Sequence, residues 1–240
     1  MTALRSKLFD LLFGLWTIVL GVLAWPVMLA VGTPARVRAL SRIWTGGIIM
    51  GLRFICGLSH REKGLENKFA DGPVIYACNH QSSWETLVIT DIIPDLAVVL
   101  KKSLYSYPIM GWYLKHSPMI AVDRQAGSKA MKQILAGARS VLEEGRSILI
   151  FPEGTRQDLD SDEPYNRGVA LLYRQLNLPV VPVAMNSGLF WSKNGFNKRA
   201  GEITVSYLPA IPPGLGTDEF MKRLETSIRA EQAELCASEA

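Results

Sequence analysis

Cysteine and histidine are both scarce, with three of each among 240 residues. Cys56, Cys78 and Cys236 are an odd number at spacings that no disulfide framework or metal site uses, so reduced thiols are expected and no metal centre. A phosphate loop is also lacking, because Gly46, Gly47 and Gly51 are not followed by Gly-Lys-Ser/Thr. Basic residues outnumber acidic ones only slightly, 26 to 22, giving a net charge of +4. They are scattered, without the interleaved aromatics of a nucleic-acid groove, which excludes nucleic acid as a partner and leaves an anionic membrane surface. No internal repeat or low-complexity linker divides the chain, and its length suits one good-sized domain with a small appendage. What the chain has in quantity is apolar residues, 48% against 20% charged, with a mean hydropathy of +0.14 that leans toward membrane contact.

The apolar excess is concentrated near the start. The run from Leu11 to Val31 carries no charge and is long enough to span a hydrocarbon core as a helix. Arg5 and Lys7 before it resemble the start of a signal peptide, but the run exceeds the apolar stretch of about 7–15 residues that such peptides carry. After Arg36, Arg38 and Arg42 comes a second apolar stretch, Ile43 to Leu58, interrupted by Arg53. An arginine at mid-bilayer costs roughly 2.5–3.5 kcal/mol on the insertion scale. An interfacial helix, or a hairpin dipping into one leaflet, is therefore expected here rather than a second span, with a helix of the soluble core as the alternative.

From Gly72 onward strands and helices alternate. Short β-branched runs predict strands at Val74–Cys78, Leu96–Leu100, Pro118–Val122, Ser147–Phe151, Val180–Met185 and Ile203–Leu208. Helical periodicity predicts Ser83–Ile93, Pro108–His116, Ser128–Glu144, Gly168–Leu176 and Asp218–Leu235. The fold class is thus α/β: a mainly parallel central sheet flanked by helices, with an N-terminal membrane-associated helical segment. Polar residues follow four strand ends: His80, Lys101-Lys102, Asp123-Arg124 and Glu153-Gly154-Thr155-Arg156. In an open parallel sheet the carboxyl ends share one rim, where such folds bind ligands, and cations gathered there suit a phosphate or similar anion.

His80 stands just past a strand end and Glu85 begins the next helix. On a single helix two residues five apart would lie about 140° around the axis and could not meet. They meet if His80 precedes the helix, in the turn. A neutral imidazole held by a carboxylate on one nitrogen can take a proton from an alcohol with the other. The rival reading is a capping box, Ser82-x-x-Glu85, in which the two side chains satisfy orphan backbone N–H groups.

Asn79-His80-Gln81-Ser82-Ser83-Trp84-Glu85 and Phe151-Pro152-Glu153-Gly154-Thr155-Arg156, in that order, resemble the glycerolipid acyltransferase family. That family carries His-x4-Asp, then a glycine-containing stretch ending in Asp-Arg or similar, then Phe-Pro-Glu-Gly-Thr-Arg/Ser, then Val-Pro-Val. Here the second element is Gly111 through Ile120-Ala121-Val122-Asp123-Arg124 and the fourth is Val181-Pro182-Val183. Two departures stand out: Glu85 replaces the commoner aspartate, and Asn166 in Tyr165-Asn166-Arg167-Gly168 replaces a lysine for which Arg167 could substitute.

The resemblance implies transfer of a fatty acyl group from acyl-CoA or acyl carrier protein to the free hydroxyl of lysophosphatidic acid, giving phosphatidic acid. It makes His80 the general base and Glu85 its orienting partner. Arg156, with Lys101 or Arg124 in support, would hold the acceptor phosphate; Gly154 and Thr155 complete the substrate-binding motif. Glu153 would either steer the acceptor's glycerol or fix Arg156, and Ser82 and Ser83 leave a covalent acyl-serine route open. No metal and no cofactor beyond the acyl donor are implied. Residues 1–60 would anchor an acyltransferase domain of residues 61–240 to the cell inner membrane, on the cytoplasmic side. Two alternatives remain: another lyso-lipid acceptor such as lyso-ornithine lipid, and a non-catalytic membrane lipid-binding protein in which Glu85 only caps a helix.

Overall fold

A computed structural model describes residues 2–31, 33–68, 72–123, 126 and 128–239. Two long helices come first, α1 (Thr2–Val31) and α2 (Pro34–Gly51), the latter continuing through a π turn at Leu52–Cys56. The order is then β1 (Leu58–Lys63), β2 (Ile75–Cys78), α3 (Trp84–Ile92), β3 (Ala97–Lys101), α4 (Pro108–His116), β4 (Ile120–Val122) and α5 (Ser128–Glu143). β5 (Ile148–Ile150), α6 (Gly168–Leu176), β6 (Val180–Met185), β7 (Gly201–Tyr207) and α7 (Thr217–Ala237) complete it.

The strands form one seven-stranded sheet in the order β1-β7-β6-β2-β5-β3-β4. β6, β2, β5, β3 and β4 are mutually parallel, β7 runs antiparallel to β6, and β1 is parallel to β7. The five parallel strands therefore end at one rim, and β2, at the centre, delivers His80 to it. Every residue of β2 is buried, because successive side chains enter opposite layers. Tyr76 and Cys78 join Phe9, Ile48, Leu52, Trp84 and Val88 from α1, α2 and α3. Ile75 and Ala77 join Ala138, Leu172, Phe220 and Leu224 from α5, α6 and α7.

β1 was not anticipated. The second apolar stretch forms a helix as far as Cys56, turns at Gly57 (φ 72°) and becomes a strand at Leu58. The expected division at residue 60 thus falls inside β1. α1 and α2 also share the hydrophobic core of the domain rather than standing apart from it. Lys198, 2% exposed, ion-pairs with Asp10 of α1 and lies over the Trp191 ring at 4.7 Å. Its backbone N–H donates to Ser6 Oγ at 2.8 Å. These contacts fix α1 to the connection between β6 and β7. The segments Thr2–Leu23 and Pro34–Cys56 are long and apolar enough to cross a membrane. They leave Leu4, Leu8, Leu11, Leu15, Ile18, Val22 and Leu23 of α1, and Ile43, Met50 and Phe54 behind them, exposed.

Candidate active site

The site is built where β2 and β5 end. Past Cys78 the carboxamide of Asn79 extends the sheet by proxy: its Oδ1 accepts the Met185 N–H at 2.8 Å and its Nδ2 donates to the Met185 carbonyl at 2.9 Å. A buried amide that replaces strand pairing in this way fixes the direction in which the chain leaves the strand. His80 follows, and the loop after β5 holds both of its backbone groups. Its N–H donates to Glu153 Oε2 at 2.8 Å, and its carbonyl accepts the Gln157 N–H at 2.7 Å. The imidazole stacks on Phe151, with ring centroids 4.1 Å apart and planes inclined at 21°. The two sequence motifs are thus joined through backbone and ring alike.

Phe151-Pro152-Glu153-Gly154 is a β-turn closed by Gly154 N–H to the Phe151 carbonyl at 3.0 Å. Proline at its second position is preset for the turn, and Gly154 at φ 74° adopts a conformation most residues avoid. The turn aims Glu153 back at His80. Burial pushes the Glu153 carboxyl up to about 8; the nearby charge of Glu85 adds to the rise, while the His80 N–H and Arg229 oppose it. Glu153 has no hydrogen bond or ion pair with Arg156 among the described residues, so the expected option of fixing that arginine is not what its contacts do.

Glu85, fully buried in the first turn of α3, reaches His80: Nδ1 and Glu85 Oε2 are 3.1 Å apart, with the His80 side chain 14% exposed. The same carboxylate accepts the Ser82 N–H at 2.9 and 3.0 Å on its two oxygens and the Gln81 N–H at 3.3 Å. Ser82 Oγ accepts the Trp84 N–H at 3.1 Å. The capping and orienting readings of Glu85 are therefore not exclusive; one carboxylate holds the turn and the ring together. A carboxylate in this position favours the Nδ1–H tautomer and leaves Nε2 able to accept a proton. Nε2 makes no protein hydrogen bond among the described residues. Neither Ser82 nor Ser83 is hydrogen-bonded to His80, so no serine there is set up as an activated nucleophile.

The remaining residues divide. Arg156 and Thr155 are exposed on the same loop, and Arg156 Nη1 donates to Ser83 Oγ at 2.8 Å, which brings its guanidinium beside the His80 turn. Lys101 ends β3, across β5 from β2 on the same rim, exposed and without a side-chain partner among the described residues. Arg124 lies outside the described residues. Arg167, largely exposed, pairs with Asp218 at the start of α7 at 2.8 Å. Sequence reasoning missed Ser187, and it gave Gln81 and Asn79, although inside the His80 motif, no role. Ser187, the second residue past the end of β6, is completely buried and its hydroxyl donates to Glu85 Oε1. Gln81 Oε1 accepts the Gly188 N–H at 3.4 Å. Position just after a rim strand was the available signal for Ser187. Among the described residues, no group of three or more His, Cys, Asp or Glu side chains is placed to hold a metal ion.

A mainly parallel α/β sheet with a buried carboxylate–histidine pair at its carboxyl rim and an arginine beside it belongs to the class of α/β folds that carry a candidate site at the strand ends. The chain belongs to the acyltransferase family, whose model matches residues 60–186. It is 34% identical over 209 residues to the 1-acyl-sn-glycerol-3-phosphate acyltransferase of Pseudomonas aeruginosa, a match spanning 87% of this chain and 81% of that one. It is 33% identical over 147 residues to the enzyme of the same name from Cocos nucifera, covering 60% of this chain and 48% of that longer one. In fold it is similar to the crystal structure of the 1-acyl-sn-glycerophosphate (LPA) acyltransferase from Thermotoga maritima, with a TM-score of 0.80, 19% identity, and 99% and 98% of the two chains covered.

Proposed function

We propose that this protein transfers a fatty acyl group from the thioester of acyl-CoA or acyl carrier protein to the free hydroxyl of 1-acyl-glycerol-3-phosphate, forming phosphatidic acid. The observation that carries the reading is the 3.1 Å contact between His80 Nδ1 and the buried Glu85 carboxylate, with Nε2 left unpaired among the described residues. Nε2 takes the proton of the acceptor hydroxyl, and Glu85 stabilises the imidazolium that forms. The oxygen attacks the thioester carbonyl, a C–O bond forms, the C–S bond breaks, and His80 returns the proton to the departing thiolate. Arg156, with Lys101 on the same rim, holds the acceptor phosphate by charge-assisted hydrogen bonds. Arg124 is a further candidate for that role.

Glu153 acts on the base from behind, by fixing the His80 backbone. No cofactor takes part besides the acyl donor. The exposed apolar side chains of α1 and α2 seat the enzyme in the cytoplasmic face of the inner membrane. Each methylene kept out of water is worth roughly 0.8 kcal/mol, so lifting a long acyl chain wholly into solution would cost on the order of 10 kcal/mol. An enzyme seated in the interface avoids that step.

The test is acyl transfer from labelled acyl-CoA by purified protein in detergent, against a panel of lyso-lipids, with His80→Ala as the control. Transfer to lysophosphatidate, lost in a folded His80→Ala protein, is expected. Equal transfer to phosphate-free acceptors would replace the acceptor with another lyso-lipid. No transfer to any acceptor would leave a lipid-binding protein in which Glu85 is a structural cap.

A further inference from the structure

Glu85 has four donors around its two oxygens, and three of them belong to residues 80–82, the segment that it must itself hold in place. The fourth is the Ser187 hydroxyl, which arrives from the turn after β6, 102 positions away in sequence. The terminal torsion of a glutamate is broad, so backbone donors on one side leave the carboxylate free to roll toward them. Ser82 N–H already bonds both oxygens, at 2.9 and 3.0 Å, and does not distinguish them. The Gln81 N–H reaches Oε1 alone, at 3.3 Å, and the Ser187 hydroxyl adds a donor on that same oxygen from the turn after β6. That hydroxyl keeps Oε1 turned toward β6 and leaves Oε2 on the imidazole.

The turn that carries Ser187 is itself held from several directions. Ser187 carbonyl accepts the Phe190 and Trp191 N–H groups at 3.1 and 2.9 Å. Preceding it, Asn186 Oδ1 accepts the Thr204 N–H of β7 at 2.9 Å. Following it, the Gly188 N–H meets Gln81. The backbone of residue 187 thus has structural partners, whereas its hydroxyl has one partner among the described residues, Glu85. We propose that Ser187 is a positioning residue of the His80–Glu85 pair: its hydroxyl fixes the rotation of the Glu85 carboxylate and so the placement of the His80 ring. This rests on the reading of His80 as the base that deprotonates the acceptor.

Two substitutions separate the hydroxyl from the volume it fills. Ser187→Ala removes the donor; Ser187→Cys keeps the space filled with a much weaker donor. Both keep the backbone contacts of the turn. In each, kcat for acyl transfer to lysophosphatidate should fall about tenfold or more, as for loss of one charge-assisted hydrogen bond felt in the transition state. The apparent KM for lysophosphatidate and for acyl-CoA should stay within about twofold, since Ser187 binds neither. A second reading needs no substrate. In protein carrying 15N-histidine, the His80 Nδ1–H resonance, identified by its absence from His80→Ala, should shift upfield and exchange faster with water in both variants. Folded Ser187→Cys protein with unchanged kcat and an unchanged His80 signal would overturn the proposal, as would a change confined to KM. If the unsubstituted enzyme fails to transfer acyl groups to any acceptor while the His80 signal still responds to Ser187, the reaction is wrong and the positioning role stands.

Discussion

Replacing Glu85 by glutamine tests the site at its most crowded atom. A capping box accepts either residue, so by sequence alone the substitution preserves the start of the helix. The geometry says otherwise. Glutamine has one accepting oxygen, and its NH2 group must occupy the place of one carboxylate oxygen. In the Oε2 place it would face the Ser82 N–H, 2.9 Å away, and His80 Nδ1, which could pair with it only by giving up its proton. That puts the remaining ring proton on Nε2, the wrong tautomer for a base. In the Oε1 place it would face the Ser82 and Gln81 N–H groups, at 3.0 and 3.3 Å, while Ser187 could turn to accept. His80 then keeps its tautomer but loses the charge that stabilises its protonated form. Either way a buried N–H is left opposed by another donor, at about 1–3 kcal/mol. General-base assistance is worth about 10²–10⁴ in rate, and much of it should be lost. The expected protein is both slower and less stable by urea unfolding, with Glu85→Asp milder in rate because the charge remains. Near-normal kcat in folded Glu85→Gln would refute the orienting role and leave Glu85 a cap.

Other outcomes follow from the same geometry. Arg156→Ala should raise the apparent KM for lysophosphatidate about ten- to a hundredfold, the value of a charge-assisted hydrogen bond, with little effect on acyl-CoA. Because Arg156 is exposed, the melting temperature should hold; equal effects on both substrates would make it a structural rim residue. Glu153, pushed up from 4.5 to about 8 in the folded protein, binds a proton there that the unfolded chain releases at lower pH, so its stabilising contribution is complete below about 4.5 and is lost as pH rises through about 8. Glu153→Gln still offers the His80 N–H an oxygen, so unfolding free energies of the two proteins, compared from pH 5 to 8.5, should show the variant losing less stability as pH rises; parallel curves would refute the assignment.

The parts of this fold legible in sequence are those whose pattern is local. Val180–Met185 is buried along its whole length and reads as a strand from its β-branched run alone, while Pro108–His116 and Gly168–Leu176 carry their own boundary residues. β1 is different: His60-Arg61-Glu62-Lys63 looks like a solvated loop. It is a strand because it lies at the sheet's edge, where charged side chains are tolerated, and pairs with residues 201–206 far along the chain. In the site, five-residue spacing across a strand-to-helix turn made the His80–Glu85 contact foreseeable. Ser187 and the Asn79–Met185 pairing arise only when β6 lies beside β2, and no local period records that adjacency. Arg167 pairs at the surface with Asp218, a contact that sequence spacing did not connect to it.

The packing of α2 against α3 gives the site a fixed relation to the apolar helices. Thr45 of α2 donates to Asp91 Oδ1 near the end of α3 at 3.2 Å, and Arg38 pairs with Asp95 just beyond it at 2.9 Å. The second pair is partly solvated, with Asp95 59% exposed, and adds little to stability. Trp84, Val88 and Ile89 on the buried face of α3 supply more, sharing one core with Ile48 and Leu52. The same short helix that presents Glu85 at its start is therefore gripped along its length by the helix bearing Ile43 and Met50 outward. The apolar face and the helix that carries Glu85 are in this way seated in one packed layer against β2, which holds His80, while the Ser187 hydroxyl meets the carboxylate from the turn after β6.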